Sequence, residues 1–319
     1  VAKLGGVKGK RPLGFTGHID TVPLGSAAWK NDAFGASLEG GKLFGRGSSD
    51  MKSGVAAFVI AALMMAEKIK AGPGVTLVIT ADEELGCGGA AHLVKQGNLL
   101  GEVGALVIGE PTANYPLIGH KGALWLDVAT RGITAHGSMP ERGDNAIYKA
   151  ADAIQQLREF DFKTPTHELM GSPTLNVGTV HGGLNINSVP DSTLIGVDIR
   201  TIPGQDHALI RSDLQRALGE TVEITPTIDV GAIYSDPSQP WIQHVFSVTQ
   251  PHLKTRPQAK TATYFTDAAV LKDAYRDIPM VVLGPGEPAL AHQTDEYCLV
   301  DCVEQAVDIY VELIKDWSS

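Results

Sequence analysis

Cysteine is scarce in this 319-residue chain, which contains only Cys87, Cys298 and Cys302. None of them forms a CxxC pair, so the spacing argues against a zinc site built from cysteines. An odd number of cysteines also favours a reducing compartment over a disulfide framework, and we therefore expect a cytoplasmic protein.

Long apolar runs are lacking too. The longest candidate, Gly54–Ala66, is shorter than the roughly 18–20 residues that cross a bilayer and is rich in alanine, so it predicts a buried helix. Acidic residues outnumber basic ones, and the formal net charge is -10. Because phosphate binding requires a basic surface, this charge argues against a nucleic-acid partner. We expect neither a membrane nor a nucleic acid as partner.

The first part of the chain alternates short apolar runs with helical patterns. The runs PLGFTGHI, VTLVITA and GALVIGE are typical of strands, and the segment from about Ser53 to Ala71 predicts a helix that stops at Gly72-Pro73. This alternation predicts βαβ units and therefore an α/β fold, with a mixed, largely parallel sheet flanked by helices.

From about Gly122 the pattern changes to alternating strand-like runs and two amphipathic helices, which is typical of an α+β domain. From about Pro240 a helix, an apolar strand and a final amphipathic helix follow. We therefore predict one α/β domain formed by residues 1–121 and 232–319, with an α+β domain of residues 122–231 inserted into it. Since the chain opens close to its first core strand, we expect an amino-terminal part of the α/β domain to be missing from this sequence.

Potential metal ligands follow the apolar strands of the α/β part. They are His18, Asp20, Asp82, Glu83, Glu84, Glu110 and His292, and Asp50 precedes the first helix. Because ligands bind outside the carboxyl ends of the strands in open α/β sheets, we expect these side chains to converge. Any one of them could be a helix N-cap or a surface histidine. Together, carboxylates and imidazoles at several strand ends indicate metal binding, and a bridging carboxylate could serve two metals.

Six segments of the chain, in order from Gly17 to Tyr297, resemble the signature segments of one known family. They are GHIDTVP, GRGSSDMKSG, ADEELG, GEPT, TAHGSMPERGDNAI and GPGEPALAHQTDEY. The family is that of the dinuclear zinc amidohydrolases and metallopeptidases, which contains acetylornithine deacetylase, succinyl-diaminopimelate desuccinylase, aminoacylase and glutamate carboxypeptidase. The resemblance implies a zinc-exopeptidase-like catalytic domain with an inserted lid and dimerisation domain.

The resemblance further implies two Zn²⁺ ions per chain, with Co²⁺ or Mn²⁺ as possible replacements. On the matching positions, His18 and Glu110 would complete one metal site, and Glu84 and His292 would complete the other. Asp50 would bridge the two sites. A cis peptide bond is implied between Asp50 and the residue that follows it.

Two more residues would take part in catalysis by the same resemblance. Glu83 would act as general base towards a hydroxide that bridges the two metals, and it would then pass the proton to the leaving amine. Asp20 would orient the ring of His18, fix its tautomer and raise its basicity.

The resemblance also assigns residues of the inserted domain. His136 would reach across a homodimer to the active site of the partner and stabilise the oxyanion. Asn187 and Arg200 would bind the substrate, with Arg200 holding a substrate carboxylate. A surface ion pair is the ordinary alternative for Arg200. We therefore expect a homodimer that forms through the inserted domain.

One segment departs from the family pattern. Many members have a small residue, often glycine, immediately before the TDA segment, whereas this chain has Phe265 and Thr266 in TYFTDAA. Phe265 would narrow or reshape the substrate pocket, and Thr266 would meet the substrate backbone. Gly284 and Gly286 would form a tight turn that lines the pocket, with a purely structural role as an equally good alternative.

The resemblance implies a metal-dependent hydrolase that cleaves the amide bond of a small N-acyl amino acid, as acetylornithine deacetylase and succinyl-diaminopimelate desuccinylase do. An exopeptidase of the glutamate carboxypeptidase or dipeptidase kind, acting on short peptides, is the nearest alternative. A single-zinc aminopeptidase and a non-catalytic relative used for binding are further alternatives. The non-catalytic relative predicts losses among the ligand and base positions, and none is lost.

Overall fold

In the computed structural model, which describes residues 1–6, 9–276 and 278–319, the chain divides into two units. The first unit comprises Val1–His120 and Ile233–Ser319, and the second unit is Lys121–Ala232. These boundaries differ by one residue at each junction from those expected from the sequence.

Strands occur in both units of the described chain. In chain order they are β1 Ala2–Leu4, β2 Leu13–His18, β3 Leu38–Glu39, β4 Lys42–Phe44, β5 Val75–Thr80, β6 Ala105–Ile108, β7 Gly119–His120, β8 Gly122–Arg131, β9 Thr174–Gly182, β10 Ser192–Thr201, β11 Val222–Val230, β12 Ile233–Tyr234, β13 Met280–Val282 and β14 Tyr297–Leu299.

Helices alternate with these strands. The α-helices are α1 Ser53–Met64, α2 Ala66–Ala71, α3 Gly88–Lys95, α4 Ala146–Arg158, α5 His207–Leu218, α6 Pro240–Leu253, α7 Ala268–Tyr275 and α8 Val300–Trp317. Shorter turns of helix are a π-helical turn at Ser48–Lys52 and two 3-10 turns at Pro140–Arg142 and Pro288–Leu290.

The first unit is organised around a five-stranded sheet with the order β1-β5-β2-β6-β13. Strands β5, β2, β6 and β13 run parallel to one another, while the edge strand β1 pairs antiparallel with β5. The predicted mixed, largely parallel sheet is therefore confirmed. Because the four parallel strands point the same way, their carboxyl ends share one edge of the sheet.

Strand β2 lies in the middle of this sheet and is buried along its whole length. The ring of Phe15 packs against Phe58 of α1 and Tyr310 of α8, with ring centroids 5.8 and 5.3 Å away. All three side chains are fully buried, and burying one large apolar side chain contributes about 1.5–3 kcal/mol. This packing fixes the strand whose last residue is His18.

The start of α1 approaches the end of β6 closely. A Cβ atom on Gly54 would lie 1.9 Å from the carbonyl oxygen of Gly109, so a residue larger than glycine would force the two segments apart. Asp50 precedes α1 and Glu110 follows Gly109. The contact between the two glycines therefore draws together two of the predicted metal ligands.

The single helix predicted over residues 53–71 is divided in the structure. Met65 leaves helical geometry with φ −97° and ψ 9°, so α1 ends at Met64 and α2 begins at Ala66. The hydrogen bond from the Met65 N–H to the Ala61 carbonyl is kept at 3.0 Å. The helix is also buried on one side only, because Leu63 and Met64 are exposed. Within the described ranges, no helix combines the length and apolar character that a bilayer crossing requires.

The second unit is an antiparallel sheet, with the order β11-β8-β10-β9, that packs with α4 and α5 around an apolar core. Both helices begin at side-chain caps: Asn145 accepts hydrogen bonds from the N–H groups of Ile147 and Tyr148, and Asp206 caps α5 in the same way. In β10, alternate side chains point into this core and the others, including Arg200, point away from it.

Candidate metal centre

The predicted ligands of the first unit gather at the carboxyl edge of its central sheet. His18 is the last residue of β2, and the acids after β5 and β6 follow within a few residues. The remaining two come from outside the strands: Asp50 lies in the π-helical turn before α1, and His292 follows the 3-10 turn after β13. The expected convergence of these side chains is thus present in the fold.

The turn after β5 separates its three consecutive acids. Asp82 has a left-handed backbone with φ 66°, and its carbonyl accepts a hydrogen bond from the N–H of Gly88 at 2.9 Å. Asp82 is exposed, whereas Glu83 is buried with 6% exposure and Glu84 is partly buried. The turn therefore directs the two glutamates inward and leaves the aspartate in solvent.

Asp50 lies between the two predicted histidine ligands. Its Oδ1 atom is 3.2 Å from Nε2 of His18, and its Oδ2 atom is 3.4 Å from Nε2 of His292. Each carboxylate oxygen therefore faces a different histidine. This is the arrangement that a carboxylate needs in order to bridge two metal ions.

Each histidine also faces a glutamate. Glu110 Oε1 lies 3.7 Å from Nε2 of His18, and Glu84 Oε2 lies 3.1 Å from Nε2 of His292. Ligand atoms around a tetrahedral zinc ion with bonds of 2.0–2.1 Å are about 3.3 Å apart. The carboxylate oxygens around each histidine are therefore spaced roughly as the ligands of a metal ion are, and these nitrogen and oxygen atoms are ligands that zinc accepts.

Glu83 lies beside the position that belongs to His18 and Glu110. Its Oε2 atom is 4.0 Å from Nε2 of His18, and the ligand atoms of His18, Glu83 and Glu110 all lie within 4.8 Å of one another. A second such group contains His18, Asp50 and Glu84. Glu83 is thus near enough to reach a metal ion or a water molecule beside it, and its role as general base stays a prediction.

The pKa values in this cluster reflect a concentration of negative charge. Burial alone lowers the pKa of His18, but the hydrogen bond with Asp50 and the charges of Glu110 and Glu83 raise it to about 11. Hydrogen bonds with Asp50 and Glu84 raise the pKa of His292 to about 10. Burial raises the pKa of Glu83 and Glu110 well above the usual range. Without bound metal, the rings of His18 and His292 therefore supply the positive charge of the cluster as imidazolium groups.

Asp20 contacts two of the ligands. Nδ1 of His18 lies 3.1 Å from the Asp20 main-chain oxygen and 3.4 Å from its Oδ1 atom. The N–H of Glu84 donates to Asp20 Oδ2 at 3.3 Å. With acceptors on the Nδ1 side, the ring of His18 is directed so that Nε2 faces the metal positions. The expected orienting contact is present, and the catalytic part of Asp20 stays a prediction.

The peptide bond between Asp50 and Met51 is cis, as the resemblance implied. The side chain of Met51 is fully buried, and its sulfur accepts a hydrogen bond from the N–H of His18 at 3.3 Å. The Met51 side chain therefore connects the Asp50 turn to the end of β2.

Close backbone approaches account for the two glycines of the GPGEP segment. A Cβ on Gly284 would lie 2.2 Å from the Gly109 carbonyl oxygen, and a Cβ on Gly286 would lie 2.0 Å from the Ser49 carbonyl oxygen. The structure thus favours the structural role for both glycines. A pocket-lining role of Gly284 stays a prediction.

Thr266 is fully buried and its hydroxyl group already has two partners. It lies 3.1 Å from Nε2 of His120 and accepts a hydrogen bond from the N–H of Ala268 at 3.2 Å. The neighbouring Phe265 is partly buried. Contacts of either residue with a substrate stay predictions, and sequence reasoning did not anticipate the pairing of Thr266 with His120.

His136, Asn187 and Arg200 all belong to the second unit. His136 and Asn187 are exposed and lie on adjacent segments, because the N–H of Gly137 donates to the Asn187 carbonyl at 2.7 Å. Arg200 pairs with Asp198, whose Oδ1 is 2.9 Å from Nε, and the guanidinium carbon is 5.9 Å from the centre of the Trp125 ring. The ion pair considered as the ordinary alternative for Arg200 therefore exists.

Comparisons of the sequence and of the structure with known proteins agree with one another. Residues 14–316 match the model of the family described as Peptidase family M20/M25/M40. An acetylornithine deacetylase of Vibrio atlanticus is 31% identical over 330 residues, which cover 99% of this chain and 84% of that protein. A probable succinyl-diaminopimelate desuccinylase of Staphylococcus epidermidis is 29% identical over 349 residues, with 99% and 85% covered. The crystal structure of an M20 family metallo-carboxypeptidase from Sulfolobus solfataricus has the same fold, with a TM-score of 0.83, 18% identity, and 99% and 87% covered.

Metal binding should release protons and should strengthen as the pH rises from about 6 to about 9. The pKa values of His18 and His292, near 11 and 10, keep both imidazoles protonated over this range, so a metal ion must displace a proton from each. Calorimetric titration with Zn²⁺ in buffers of different ionisation enthalpy would measure at least two protons released, and more if Glu110, whose pKa is also raised by burial, loses a proton. An affinity that is the same at both ends of the range, without proton release, would contradict the proposed ligands.

Proposed function

Because this chain belongs to peptidase family M20/M25/M40, we propose that it hydrolyses the amide bond of a small N-acyl amino acid. The chain is a metal-dependent hydrolase that acts on amide bonds, as its family and relatives indicate. The observation that carries the proposal is the position of Asp50, with one carboxylate oxygen facing each of two histidines. The acyl group suggested by the relatives is acetyl or succinyl.

We propose that two zinc ions are bound per chain, and that cobalt or manganese can replace them. His18 and Glu110 would hold one ion, His292 and Glu84 would hold the other, and Asp50 would hold both. When bound, the ions would lower the pKa of a water molecule towards neutrality and polarise the amide carbonyl.

Glu83 would carry the proton. Its carboxylate is buried, and burial together with the nearby charges of Asp267 and Asp50 raises its pKa, so it would accept the proton of the attacking water at Oε2. It would then deliver that proton to the nitrogen of the leaving amine. Asp20 would keep the ring of His18 oriented during these steps, through the contacts at Nδ1.

His136 is suited to donate a hydrogen bond to the oxyanion. Its Nδ1 atom accepts the N–H of Ser138 at 3.2 Å and lies 2.8 Å from the Ser138 hydroxyl, so the proton of the neutral ring belongs on Nε2. An N–H at that position is the donor that a developing negative charge on oxygen requires. Asn187, on the adjacent segment, would contact the substrate beside it.

Arg200 would hold the carboxylate of the substrate. Asp198 contacts the Nε and Nη2 atoms of the guanidinium, so a second carboxylate would bind at Nη1. Burial and the charge of Arg200 lower the pKa of Lys121, so a second basic group lies nearby. In the first unit, Phe265, Thr266 and Gly284 would contact the substrate, with Phe265 limiting the width available to it.

A peptide with a free carboxyl terminus would satisfy Arg200 equally well, so an exopeptidase acting on short peptides is the second candidate. Turnover of N-acetylornithine, N-succinyl-diaminopimelate, acylglutamates and dipeptides under the same conditions separates the two functions. We expect an N-acyl amino acid to have the highest kcat/KM. Cleavage of peptides alone would show that the deacylase assignment is wrong.

A homodimer through the second unit is the proposed assembly. Strand β9 is an edge strand of its sheet, and Leu184 and Ile186, shortly after it, are 99% and 102% exposed. On α4, Tyr148 is 72% exposed. An open strand edge with exposed apolar side chains is suited to pairing with a second copy.

The cytoplasm is the proposed location, supported by three cysteines that form no disulfide in the described chain.

The Glu83→Gln variant should keep its metal and lose most of its turnover. The amide has the shape of the carboxylate but cannot accept the proton of water, and general acid–base catalysis contributes about 10²- to 10⁴-fold to rates. Metal content by elemental analysis and kcat with an N-acyl amino acid test this together. The matched control is Asp82→Asn at the neighbouring exposed acid, which should keep wild-type kcat. A Glu83→Gln variant with near-wild-type kcat would rule out Glu83 as general base.

Mixing two inactive variants should restore activity if His136 serves the partner's site. In a heterodimer of Glu83→Ala and His136→Ala chains, one of the two sites has both residues intact. Random exchange of subunits would therefore restore about a quarter of wild-type activity. Each variant subjected alone to the same exchange is the control. Mixed dimers, verified by mass spectrometry, that stay inactive would show that His136 does not act across the interface.

A further inference from the structure

Glu296 is a completely buried acid that is not among the proposed ligands. It lies four residues after His292, immediately before β14, and has 0% exposure. A buried carboxylate is destabilising unless its oxygens are paired. The hydrogen-bond donors around Glu296 therefore indicate the role of its charge.

Four donors surround the Glu296 carboxylate. Its Oε1 atom accepts from the N–H groups of Ser49 at 2.8 Å and Asp50 at 3.0 Å. Its Oε2 atom accepts from the N–H of Gly47 at 3.0 Å and from Nη1 of Arg46 at 2.7 Å. Both oxygens are thus fully paired, and three of the four donors belong to the main chain of one turn.

This turn has the character of an anion-binding concavity. Main-chain N–H groups point to one centre, and Gly47 has the left-handed φ of 80° found in such backbone nests. An internal carboxylate fills the centre here, so the turn that carries Asp50 is fixed from inside the protein.

Arg46 fixes the carboxylate in turn. Its Nη1 atom also donates to the carbonyl of Gln293 at 3.2 Å, and its Nη2 atom donates to the carbonyl of Pro23 at 3.3 Å. The guanidinium carbon lies 5.1 Å from the centre of the Trp29 ring. Arg46 therefore connects three parts of the chain: the Asp50 turn, the segment between His292 and Glu296, and the loop that contains Pro23 and Trp29.

His292 is the most exposed of the predicted ligands, so the loop that carries it gains from such a connection. Its side chain is 52% exposed, and its backbone has the unfavourable φ of 63°. The N–H of Gly45 donates to the main-chain oxygen of Glu296 at 2.9 Å, so both the main chain and the side chain of Glu296 join the loop of His292 to the turn of Asp50.

We propose that Glu296 is a positioning residue of the metal centre. Its carboxylate, paired with Arg46, fixes the main chain of Asp50 relative to His292, so that each oxygen of Asp50 faces its own histidine. The proposal rests on the proposed two-metal function. Glu296 belongs to the segment AHQTDEY, which resembles a family signature, but the resemblance alone gave this acid no role.

The Glu296→Gln variant tests this directly. The amide keeps one carbonyl oxygen, but its NH₂ group meets N–H donors in place of an acceptor, so two hydrogen bonds are lost and the Asp50 turn is released. Residues that support metal ligands typically contribute 10- to 100-fold to metal affinity. We expect a loss of this size in Zn²⁺ affinity, measured by chelator competition. We also expect a lower kcat that recovers as free Zn²⁺ is raised, with little change in KM.

The exposed Glu304→Gln exchange is the matched control and should bind Zn²⁺ as the wild type does. Thermal unfolding of the metal-free proteins separates positioning from simple stabilisation. A Glu296→Gln protein that is folded at the assay temperature and binds Zn²⁺ with wild-type affinity would overturn the proposal, whatever its melting temperature. Absorption of the Co²⁺-loaded variant should also differ from that of the wild type, because the ligands of the ions are displaced.

Two further outcomes distinguish a failure of the two-metal function from a failure of the proposed role of Glu296. Wild-type protein that binds fewer than two ions would contradict the two-metal function itself, whereas two ions bound equally by wild type and Glu296→Gln would contradict only the role of Glu296. If Glu296→Gln does not fold, Arg46→Lys takes its place. Lysine keeps the charge but cannot make the three contacts of the guanidinium, so a several-fold loss of Zn²⁺ affinity is expected, and an unchanged affinity would overturn the proposal.

Discussion

The structure of the first unit depends on how it neutralises the carboxylates at one edge of a buried sheet. Asp50, Glu83, Glu84 and Glu110 all lie near the same few ångströms of space, and each is at least partly buried. Like charges in such a place repel strongly because little water screens them. The two histidines supply positive charge as imidazolium, and metal ions would supply more. The cluster is therefore organised around the cations that it can hold.

The fold meets this demand with rigid elements and close backbone contacts. Parallel strands bring their carboxyl ends to one edge, and the aromatic packing of Phe15 holds the central strand in place. Glycine contacts such as that of Gly54 with Gly109 bring the Asp50 turn and the Glu110 segment together. The buried pair of Arg46 and Glu296 then joins the turn to the loop of His292. Each of these contacts holds in place an element that carries a proposed ligand.

Much of this arrangement could be predicted from the sequence, because it follows from patterns local to the chain. Apolar runs that end in acids or histidines predicted which residues meet, since parallel strands share an edge. Other features depend on contacts between distant segments and left no local signal. Nothing near Met65 predicts a break in the helix, and the donors around Glu296 come from residues about 250 positions away. The burial of Thr266 against His120 belongs to the same class of contact.

Asp50 is proposed to bridge two metal ions, with one carboxylate oxygen on each. A crystal structure of the Zn²⁺-loaded protein, with anomalous scattering recorded at the zinc edge, measures this most directly. We expect two zinc peaks about 3.5–4 Å apart, one beside His18 and Glu110 and the other beside His292 and Glu84, with Asp50 between them. A single peak, or two ions that do not share Asp50, would contradict it.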